Sequence, residues 1–433
     1  MTRQTASLPG CRFPGRLPIA QDDAEAVGGA DRALPAAGCG EALRRASGPS
    51  GRAPLRAARD CGFCGGMTRF RFAPIAAALP ATVPFTGPEA LERRRGAPFR
   101  ARLGANENGF GPSPKAVEAM ARASAEIWKY GDPDSHDLRH ALAARHGAAP
   151  ENVMVGEGID GLLGLLVRLM LAPGEVVVTS DGAYPTFNYH VAGFGGRLVK
   201  VPYRKDAEDP EALAAAAHRH GARLVYLANP DNPMGSWHPG SRIEAMLDEL
   251  PATGLLVLDE AYAEFAPAEA IPRIDPEDAR VIRFRTFSKA YAMAGARVGY
   301  AIGPAELIAG FDRIRNHFGM NRTAQIGALA ALEDADWLAH VRAEVAAARD
   351  RIAAIAQSNG LTALPSATNF VALDTHRDGA FARALLEALA GQGVFVRMPG
   401  VAPLDRCIRV SCAPEPELAV LAEALPRALK ALA

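Results

Sequence analysis

Short apolar runs alternate with helix-like stretches along most of this chain. From about residue 111, each apolar run is bounded by Gly, Pro or Asp, as expected for buried strands. The predicted strands are residues 152–155, 175–179, 197–201, 223–228, 254–258, 281–285 and 297–302. Between or before them, helical periodicity predicts helices at residues 113–125, 135–147, 159–171, 211–220 and 240–250.

This alternation predicts an α/β fold. Because strands buried on both faces are apolar throughout, the seven runs indicate a mainly parallel seven-stranded sheet between helices. After residue 303 the pattern changes. It is mostly helical to residue 357, with strands near 370–373, 394–397 and 407–411 and helices at 379–391 and 415–431. The second pattern predicts a smaller α/β C-terminal domain.

The domain limits follow from these patterns. Residues 1–66 are rich in Gly, Ala, Pro and Arg without a clear period, which predicts a disordered or non-native N-terminal extension. A translation start at Met67 is one hypothesis for it. We expect residues 67–110 to pack with the small domain, residues 111–315 to form the large domain and residues 316–433 to form the small domain.

Composition narrows the functional classes. Lys+Arg and Asp+Glu balance at 48 each, which argues against a nucleic-acid or anionic-membrane surface. The sequence has no apolar run long enough for a membrane span or a signal peptide, so we expect a cytoplasmic protein. Outside the first 64 residues the cysteines are Cys407 and Cys412, which predicts a reduced protein body. Cys61 and Cys64 fit a redox pair, half a zinc site or, in our preferred interpretation, chance. We expect no metal.

Polar residues follow several predicted strands. Asn229 comes directly after the strand at 223–228, Asp259 and Tyr262 follow that at 254–258, and Lys289 follows that at 281–285. The turn at Gly158 follows the strand at 152–155 and opens a helix. Because ligands of an open α/β sheet sit at the carboxyl ends of its strands, these side chains are expected on one rim.

Each of these residues also has an ordinary explanation. Asn229 before proline fits a turn, Asp259 fits a helix N-cap, Gly158 fits a tight turn and Lys289 fits a surface lysine. Together, however, they match the needs of an aldehyde cofactor with a pyridine ring and a phosphate. A buried lysine can condense with a carbonyl, and a carboxylate keeps a pyridine nitrogen protonated.

Further side chains complete this hypothesis. Tyr262 and Asn229 can hydrogen-bond the phenolic oxygen of the ring, and Tyr184 is placed to stack on it. The phosphate is expected at a helix N-terminus, beside a hydroxyl and a fixed positive charge. The residues predicted for these phosphate contacts are Gly158, Ile159, Asp160, Ser288 and Arg297.

Five short sequence motifs resemble those of a known enzyme family. They begin at Leu103 (Leu-Gly-Ala-Asn-Glu-Asn), Gly111 (Gly-Pro-Ser-Pro), Asn229 (Asn-Pro-Asp-Asn-Pro), Asp259 (Asp-Glu-Ala-Tyr) and Thr286 (Thr-Phe-Ser-Lys-Ala-Tyr-Ala-Met-Ala-Gly-Ala-Arg-Val-Gly). In order and content they resemble the fold-type I pyridoxal 5'-phosphate (PLP) aminotransferases, and most closely the histidinol-phosphate aminotransferase branch. The resemblance extends from Leu103 to about Ser411 and would make residues 111–315 the PLP-binding domain.

The resemblance implies roles for individual residues. Lys289 would be the Schiff-base lysine, Asp259 the partner of the ring nitrogen and Tyr262 a third catalytic residue. Tyr130 resembles a tyrosine that reaches the phosphate of the neighbouring subunit, which implies a homodimer with shared active sites. On the substrate side, the residues implied are Asn106, Arg397 and Arg409.

The implied reaction is a ping-pong transamination between a small-molecule amino donor and a keto acid, with histidinol phosphate favoured as donor and 2-oxoglutarate as acceptor. An aromatic amino acid aminotransferase and a threonine-phosphate-type decarboxylase are the alternatives. A PLP-binding transcription regulator is disfavoured, because residues 1–66 are too short for a DNA-binding head. Two departures from the usual loop, Asp231 and Met234, weaken the assignment of the substrate.

Overall fold

A seven-stranded sheet organises the large part of the fold. The computed structural model describes residues 70–80 and 86–433, so the extension predicted at residues 1–66, with Cys61 and Cys64, lies outside the described residues. The strands of this part of the chain are β1 (Ala101–Arg102), β2 (Val153–Gly156), β3 (Val176–Ser180), β4 (Arg197–Val201), β5 (Leu224–Ala228), β6 (Leu255–Asp259), β7 (Val281–Thr286), β8 (Gly299–Ile302), β9 (Thr362–Ala363), β10 (Phe370–Asp374), β11 (Val394–Phe395) and β12 (Cys407–Ser411).

The large sheet has the strand order β2-β8-β7-β6-β5-β3-β4. Strands β4, β3, β5, β6 and β7 run parallel to their neighbours, whereas β8 is antiparallel to both β7 and β2. The carboxyl ends of all its strands except β8 therefore lie along one rim. The prediction of a mainly parallel seven-stranded sheet is confirmed.

Helices surround this sheet and the C-terminal strands. They are α1 (Pro74–Ala77), α2 (Pro88–Arg95), α3 (Pro114–Ser124), α4 (His136–His146), α5 (Gly158–Met170), α6 (Pro185–Gly193), α7 (Pro210–His220), α8 (Gly240–Asp248), α9 (Ala305–Phe311), α10 (Arg322–Glu333), α11 (Ala335–Ser358), α12 (Gly379–Gly391) and α13 (Glu415–Ala431). Among the described residues, no helix is both long and apolar enough to cross a bilayer.

The two faces of the sheet bury separate cores, because successive side chains of a strand point to opposite faces. On β5, Tyr226 packs into a core with residues of α5 and α6, whereas Val225 and Leu227 pack into a second core with residues of α7 and α8. Strand β3 divides in the same way. The continuous apolar runs of the sequence are thus explained by helices on both faces.

The C-terminal part forms a separate antiparallel sheet in the order β12-β10-β9. Strand β1 pairs in parallel with β11, with Ala101 opposite Val394. This pairing joins β1, which precedes α3, to the C-terminal part. The exact domain limits stay a prediction.

Three of the helices described here were not predicted: α1, α2 and α6. Helix α6 follows Tyr184 and buries only Phe187 and Val191, spaced by one turn. Its sequence, Pro-Thr-Phe-Asn-Tyr-His-Val-Ala-Gly, has too few apolar positions to show a helical period. The helix nevertheless forms, because those two side chains pack into the core beneath α5.

Candidate active site

A cavity of about 650 Å³ opens at the rim where the strands of the large sheet end. Side chains from the β5–β7 ends form one side of it, and residues from β12 and the segment after β11 form another. The expected site residues that line it are Asn106, Ile159, Asp160, Tyr184, Asp259, Tyr262, Ser288, Lys289, Arg297, Arg397 and Arg409. The structure therefore gathers most of the predicted site in one place.

Lys289 lies three residues past the end of β7, inside this cavity. Its Nζ donates a hydrogen bond to the backbone oxygen of Asn106 at 3.2 Å and lies 5.6 Å from the ring centre of Tyr262. Burial and, to a smaller extent, the positive charge of Arg409 lower the pKa of this amine to about 8. A lysine in this environment is far more readily neutral, and so nucleophilic, than a solvated one.

Asp259 is the last residue of β6 and is 5% exposed. Its Oδ2 accepts a hydrogen bond from the Tyr226 hydroxyl at 2.7 Å, and its Oδ1 accepts one from the N–H of Ala261 at 2.9 Å. Burial raises the pKa of the carboxyl to about 6. A buried carboxylate held by neutral donors alone is suited to pair with a cation, such as a protonated ring nitrogen, that enters the cavity.

Tyr262 and Asn106 face Lys289 across the cavity. Asn106 Nδ2 donates to the Tyr262 hydroxyl at 2.9 Å, and the Tyr262 ring packs edge-on against Phe370 at 5.4 Å. Asn106 has a left-handed backbone (φ 53°), and its backbone oxygen accepts hydrogen bonds from both Lys289 and Asn369. Burial raises the pKa of Tyr262, so its hydroxyl stays protonated and can donate into the cavity.

The other end of the cavity is built for an anion. Helix α5 begins at Gly158, so free N–H groups of its first turn are available there, and the guanidinium of Arg297 lies against that turn. A Cβ on Gly158 would meet Arg297 Nη2 at 2.3 Å and would displace the guanidinium, and the left-handed backbone of Gly158 (φ 81°) also favours glycine. Arg297 Nη1 also donates to Ser288 Oγ at 3.4 Å.

Tyr184 precedes α6 and lines the cavity beside Asp160. Its hydroxyl donates to both carboxylate oxygens of Asp160, at 3.0 and 3.1 Å. The Asp160 side chain is thereby directed at Tyr184. Its contribution to an anion site is thus limited to its backbone N–H, because a carboxylate repels a phosphate.

Arg397 and Arg409 form the opposite wall. Their backbones exchange two hydrogen bonds, so the two side chains come from directly paired positions. Arg409 Nη1 donates to Asn232 Oδ1, and its guanidinium lies 5.1 Å from the ring centre of Phe370. Among the described residues, Arg409 Nε has no hydrogen-bond partner. Burial lowers the pKa of Arg409 to about 10, which reflects an incompletely compensated positive charge.

The prediction for Asn229 requires a correction. Its Nδ2 donates to the backbone oxygens of His238 at 3.0 Å and Ala270 at 2.9 Å, and its Oδ1 accepts from the N–H of His238. Both amide hydrogens are used, so Asn229 has no donor left for a phenolic oxygen. Asn232, three residues further along the same loop, lines the cavity instead.

Two further differences concern the limits of the site. Tyr130 is 78% exposed and lies outside the cavity lining, with its ring 4.9 Å from that of Phe318, so a role in catalysis would require a second subunit. The sequence did not single out Lys200 and Asn188, which also line the cavity. Neither follows a predicted strand end or matches a residue that the resemblance implies, and these were the signals used to select candidates.

The cavity fits PLP in this structure. The N-terminus of α5 at Gly158, together with Arg297 and Ser288, suits the phosphate. Asp259 suits the ring nitrogen. Lys289 suits the aldehyde, while Tyr262 and Asn232 suit the phenolic oxygen. These groups line one continuous cavity with the buried carboxylate and the buried amine that such a ring requires.

Comparison with known sequences agrees with this geometry. Residues 101–425 match the aminotransferase class I and II family. The histidinol-phosphate aminotransferase of Moorella thermoacetica is 36% identical over 327 residues, which are 75% of this chain and 84% of that protein. The histidinol-phosphate aminotransferase of Anaeromyxobacter sp. is 38% identical over 331 residues, covering 75% and 89%.

Solved structures give the same result. The histidinol-phosphate aminotransferase of Sinorhizobium meliloti, solved in complex with pyridoxal-5'-phosphate, is 55% identical with a TM-score of 0.82, over 85% of this chain and all of that one. The aspartate aminotransferase of Thermus thermophilus, solved with maleate, is 26% identical with a TM-score of 0.70, over 83% of this chain and all of that one. The predicted fold-type I architecture is confirmed.

Proposed function

This chain belongs to the aminotransferase class I and II family, and from that membership we propose that it transfers the amino group of histidinol phosphate to 2-oxoglutarate. The reaction depends on PLP and follows a ping-pong cycle. The relatives named above support the donor, because several of them are histidinol-phosphate aminotransferases. The acceptor follows from the general need of such a cycle for a keto acid.

The observation that supports histidinol phosphate as the amino donor is the presence of two arginines, Arg397 and Arg409, in the cavity. Both guanidinium groups line the cavity from adjacent, backbone-bonded positions. Histidinol phosphate carries a doubly negative phosphate ester on the CH2 group attached to its amine-bearing carbon, where an amino acid has a carboxylate. Two arginines match that charge and can each donate several hydrogen bonds to phosphate oxygens. A carboxylate would need only one of them.

The chain's own residues prepare the reaction. PLP supplies an electron-withdrawing ring that stabilises negative charge at the substrate's Cα. Lys289 Nζ takes the proton from that carbon and returns one during the cycle, for which its lowered pKa suits it. Asp259 holds the proton on the ring nitrogen, and the Tyr262 hydroxyl donates to the phenolic oxygen. Arg409 and Arg397 hold the anionic end of the donor.

The test is a half-reaction without a keto acid. The PLP form is mixed in separate samples with histidinol phosphate, phenylalanine and threonine phosphate, and loss of the visible absorbance of the cofactor is followed. We expect rapid bleaching with histidinol phosphate only. Bleaching by phenylalanine alone would indicate an aromatic aminotransferase, and carbon dioxide release from threonine phosphate a decarboxylase.

We also propose that the protein works in the cytoplasm as a homodimer with shared active sites. An exposed apolar group, Ile127, Trp128, Tyr130 and Phe318, supports the dimer, because a monomer rarely exposes such large side chains together. In a dimer, Tyr130 can reach the phosphate end of the partner's cavity.

Subunit mixing tests the shared site. Lys289→Ala and Tyr130→Ala chains are each weakly active alone, but a heterodimer of the two contains one intact site. Equal mixing after mild dissociation should therefore restore about a quarter of wild-type activity. Activity that stays at the sum of the two variants would show that Tyr130 acts in its own subunit or not at all. Tyr130→Phe serves as the matched control for the hydroxyl.

A further inference from the structure

Two carboxyl groups lie buried beneath the loop that carries Asn232. Glu208 and Asp231 are each 2% exposed, and Asp231 directly precedes Asn232. In the described part of the chain, the neighbouring arginines pair with Asp206 and Asp209 and not with these two groups. Both carboxyl groups are therefore buried without an ion-pair partner.

Neutral donors hold both groups in place. Glu208 accepts hydrogen bonds from the Ser180 hydroxyl at 2.5 Å and the N–H of Ala228 at 2.9 Å. Asp231 accepts hydrogen bonds from the Tyr203 hydroxyl at 2.8 Å and the N–H of Met234 at 2.9 Å. These bonds fix the two carboxyl groups but supply no compensating charge.

The two carboxyl groups lie close enough together that the negative charge of Asp231 acts on Glu208. A proton on one of them removes the repulsion between two buried carboxylates. Burial raises the pKa of Glu208 well above its usual value, and the charge of Asp231 raises it further. Burial raises the pKa of Asp231 to about 7. Near neutral pH the pair thus holds one proton.

The surroundings of the pair contain few groups that compete for this proton. Burial lowers the pKa of His238, whose Nε2 contacts the backbone oxygen of Glu208, so this ring is neutral. Of the charged groups that line the cavity, Arg409 acts on Asp231 and Asp259 acts on Glu208. The titratable and charged groups that face the pair are Tyr203, Tyr226, His238, Arg242, Asp259 and Arg409.

The pair is connected to the substrate end by one residue. Asp231 fixes the turn that begins there through Met234, and the next residue, Asn232, accepts a hydrogen bond from Arg409. We propose that Glu208 and Asp231 act as a positioning pair that shares one proton, holds Asn232 against Arg409, and weakens the binding of an anionic substrate when that proton is lost. Of these three claims, only the effect on substrate binding rests on the proposed function.

The expected effect has a definite sign. Loss of the shared proton places a second negative charge near Arg409 and lowers the positive potential that attracts an anion. It also sets two unpaired buried carboxylates against each other beneath the loop. The KM for an anionic donor should therefore rise as the pH increases through neutral, while kcat, which depends on Lys289 and Asp259, follows its own pH profile.

The first arm of the test uses Asp231→Asn and Glu208→Gln. Each amide is uncharged throughout this pH range and keeps one oxygen that can accept a hydrogen bond, so each variant should lose the pH response. For the PLP-loaded wild type, KM for histidinol phosphate should rise about tenfold between pH 6 and pH 9 beyond the change in both variants. The exposed Asp248→Asn is the charge-matched control and should follow the wild type. A wild-type slope retained in both variants would overturn the proposal.

The second arm measures the melting temperature of the cofactor-free protein and needs no substrate. A carboxyl whose folded pKa is raised contributes stability below its unfolded pKa, and this contribution is lost as pH rises through the folded value. From pH 6 to pH 8.5 the wild type should lose about 3 °C more than Asp231→Asn. Equal losses of melting temperature in the wild type and in Asp231→Asn would overturn the proposal. If the difference appears although no donor is transaminated, the proposed function fails and the pair stands.

Discussion

The cavity has two halves that the fold builds in different ways. The cofactor half consists of Asp259, Tyr262, Ser288, Lys289 and Arg297, which follow strand ends of one sheet or precede its neighbouring strand β8. The substrate half consists of Arg397 and Arg409. Asn232, which also suits the phenolic oxygen of the cofactor, connects the two halves through its bond to Arg409.

The two halves differ in what fixes the positions of their side chains. Parallel strands place the cofactor half on a rigid rim, so its geometry is fixed by the core of one sheet. The substrate half exists only where the loop after β5 meets β12 and the segment after β11, with Asn232 bonded to Arg409 as one link between them. We therefore expect changes in the first half to affect kcat, and changes in the second to affect KM and the choice of donor.

The largest expected effect is that of Lys289→Ala. Removal of the amine removes the group that moves the proton at the substrate's Cα, so kcat should fall by about 10⁴-fold or more with every donor. Lys200→Ala is the matched control, because Lys200 lines the same cavity but is ion-paired with Asp181. A kcat in that control within about threefold of wild type is expected. Comparable losses in both variants would break the distinction between the halves.

Asp259→Asn comes next. An amide cannot hold a proton on the ring nitrogen by charge, so kcat should fall by about 10²- to 10³-fold while KM changes little. The Tyr226 hydroxyl can still donate to the amide oxygen, which limits the loss of stability. Steady-state kinetics with PLP in excess is the measurement. An unchanged kcat would show that the charge of Asp259 has no part in the reaction.

Arg409→Lys tests the substrate half of the cavity. Lysine keeps the charge but loses the planar fork and the bond pattern to Asn232, so KM for histidinol phosphate should rise about 10- to 100-fold with a smaller change in kcat. The same variant tested with phenylalanine shows whether donor choice changes. A fall in kcat alone would place Arg409 in the cofactor half.

Asn232 and Asn229 lie in the same loop, so a variant at each serves as the control for the other. Asn232→Ala removes a contact of Arg409 in the cavity, so KM should rise about tenfold with little change in stability. Asn229→Ala leaves the N–H of His238 and the backbone oxygens of His238 and Ala270 without their partner, which should cost about 1–3 kcal/mol of stability. Kinetic constants per folded molecule should stay near wild type for Asn229→Ala. Reversed effects would restore Asn229 as the contact residue.

This asparagine pair shows what sequence can and cannot predict here. In the seven-stranded sheet, the carboxyl ends of the strands were predicted to within a residue, because polar or small residues such as Asp259 close the apolar runs. Which asparagine of a five-residue loop faces the cavity depends on backbone geometry that no apolar pattern encodes. Glu208 and Tyr203 escaped notice for the same reason, because they lie between β4 and α7, outside any periodic segment.

The smallest expected effect concerns stability without the cofactor. Lys289 has a lowered pKa, so its charged form destabilises the fold. This cost is absent above the unfolded pKa of lysine and appears as the pH falls through about 8. Lys289→Met should therefore stabilise the cofactor-free protein by about 1–2 kcal/mol at pH 7, with no gain above pH ~10.5. Denaturant unfolding at both pH values measures it. A constant gain would assign the effect to packing and not to the charge.

The most direct test of the central claim locates the cofactor on the chain. The PLP-loaded protein is reduced with borohydride, digested, and analysed by mass spectrometry for the peptide that carries the pyridoxyl group. The account predicts that Lys289 carries the label, in the segment between β7 and β8, and that Lys200, the other lysine lining the cavity, is unlabelled. A label on Lys200, or on no lysine of the cavity, would contradict it.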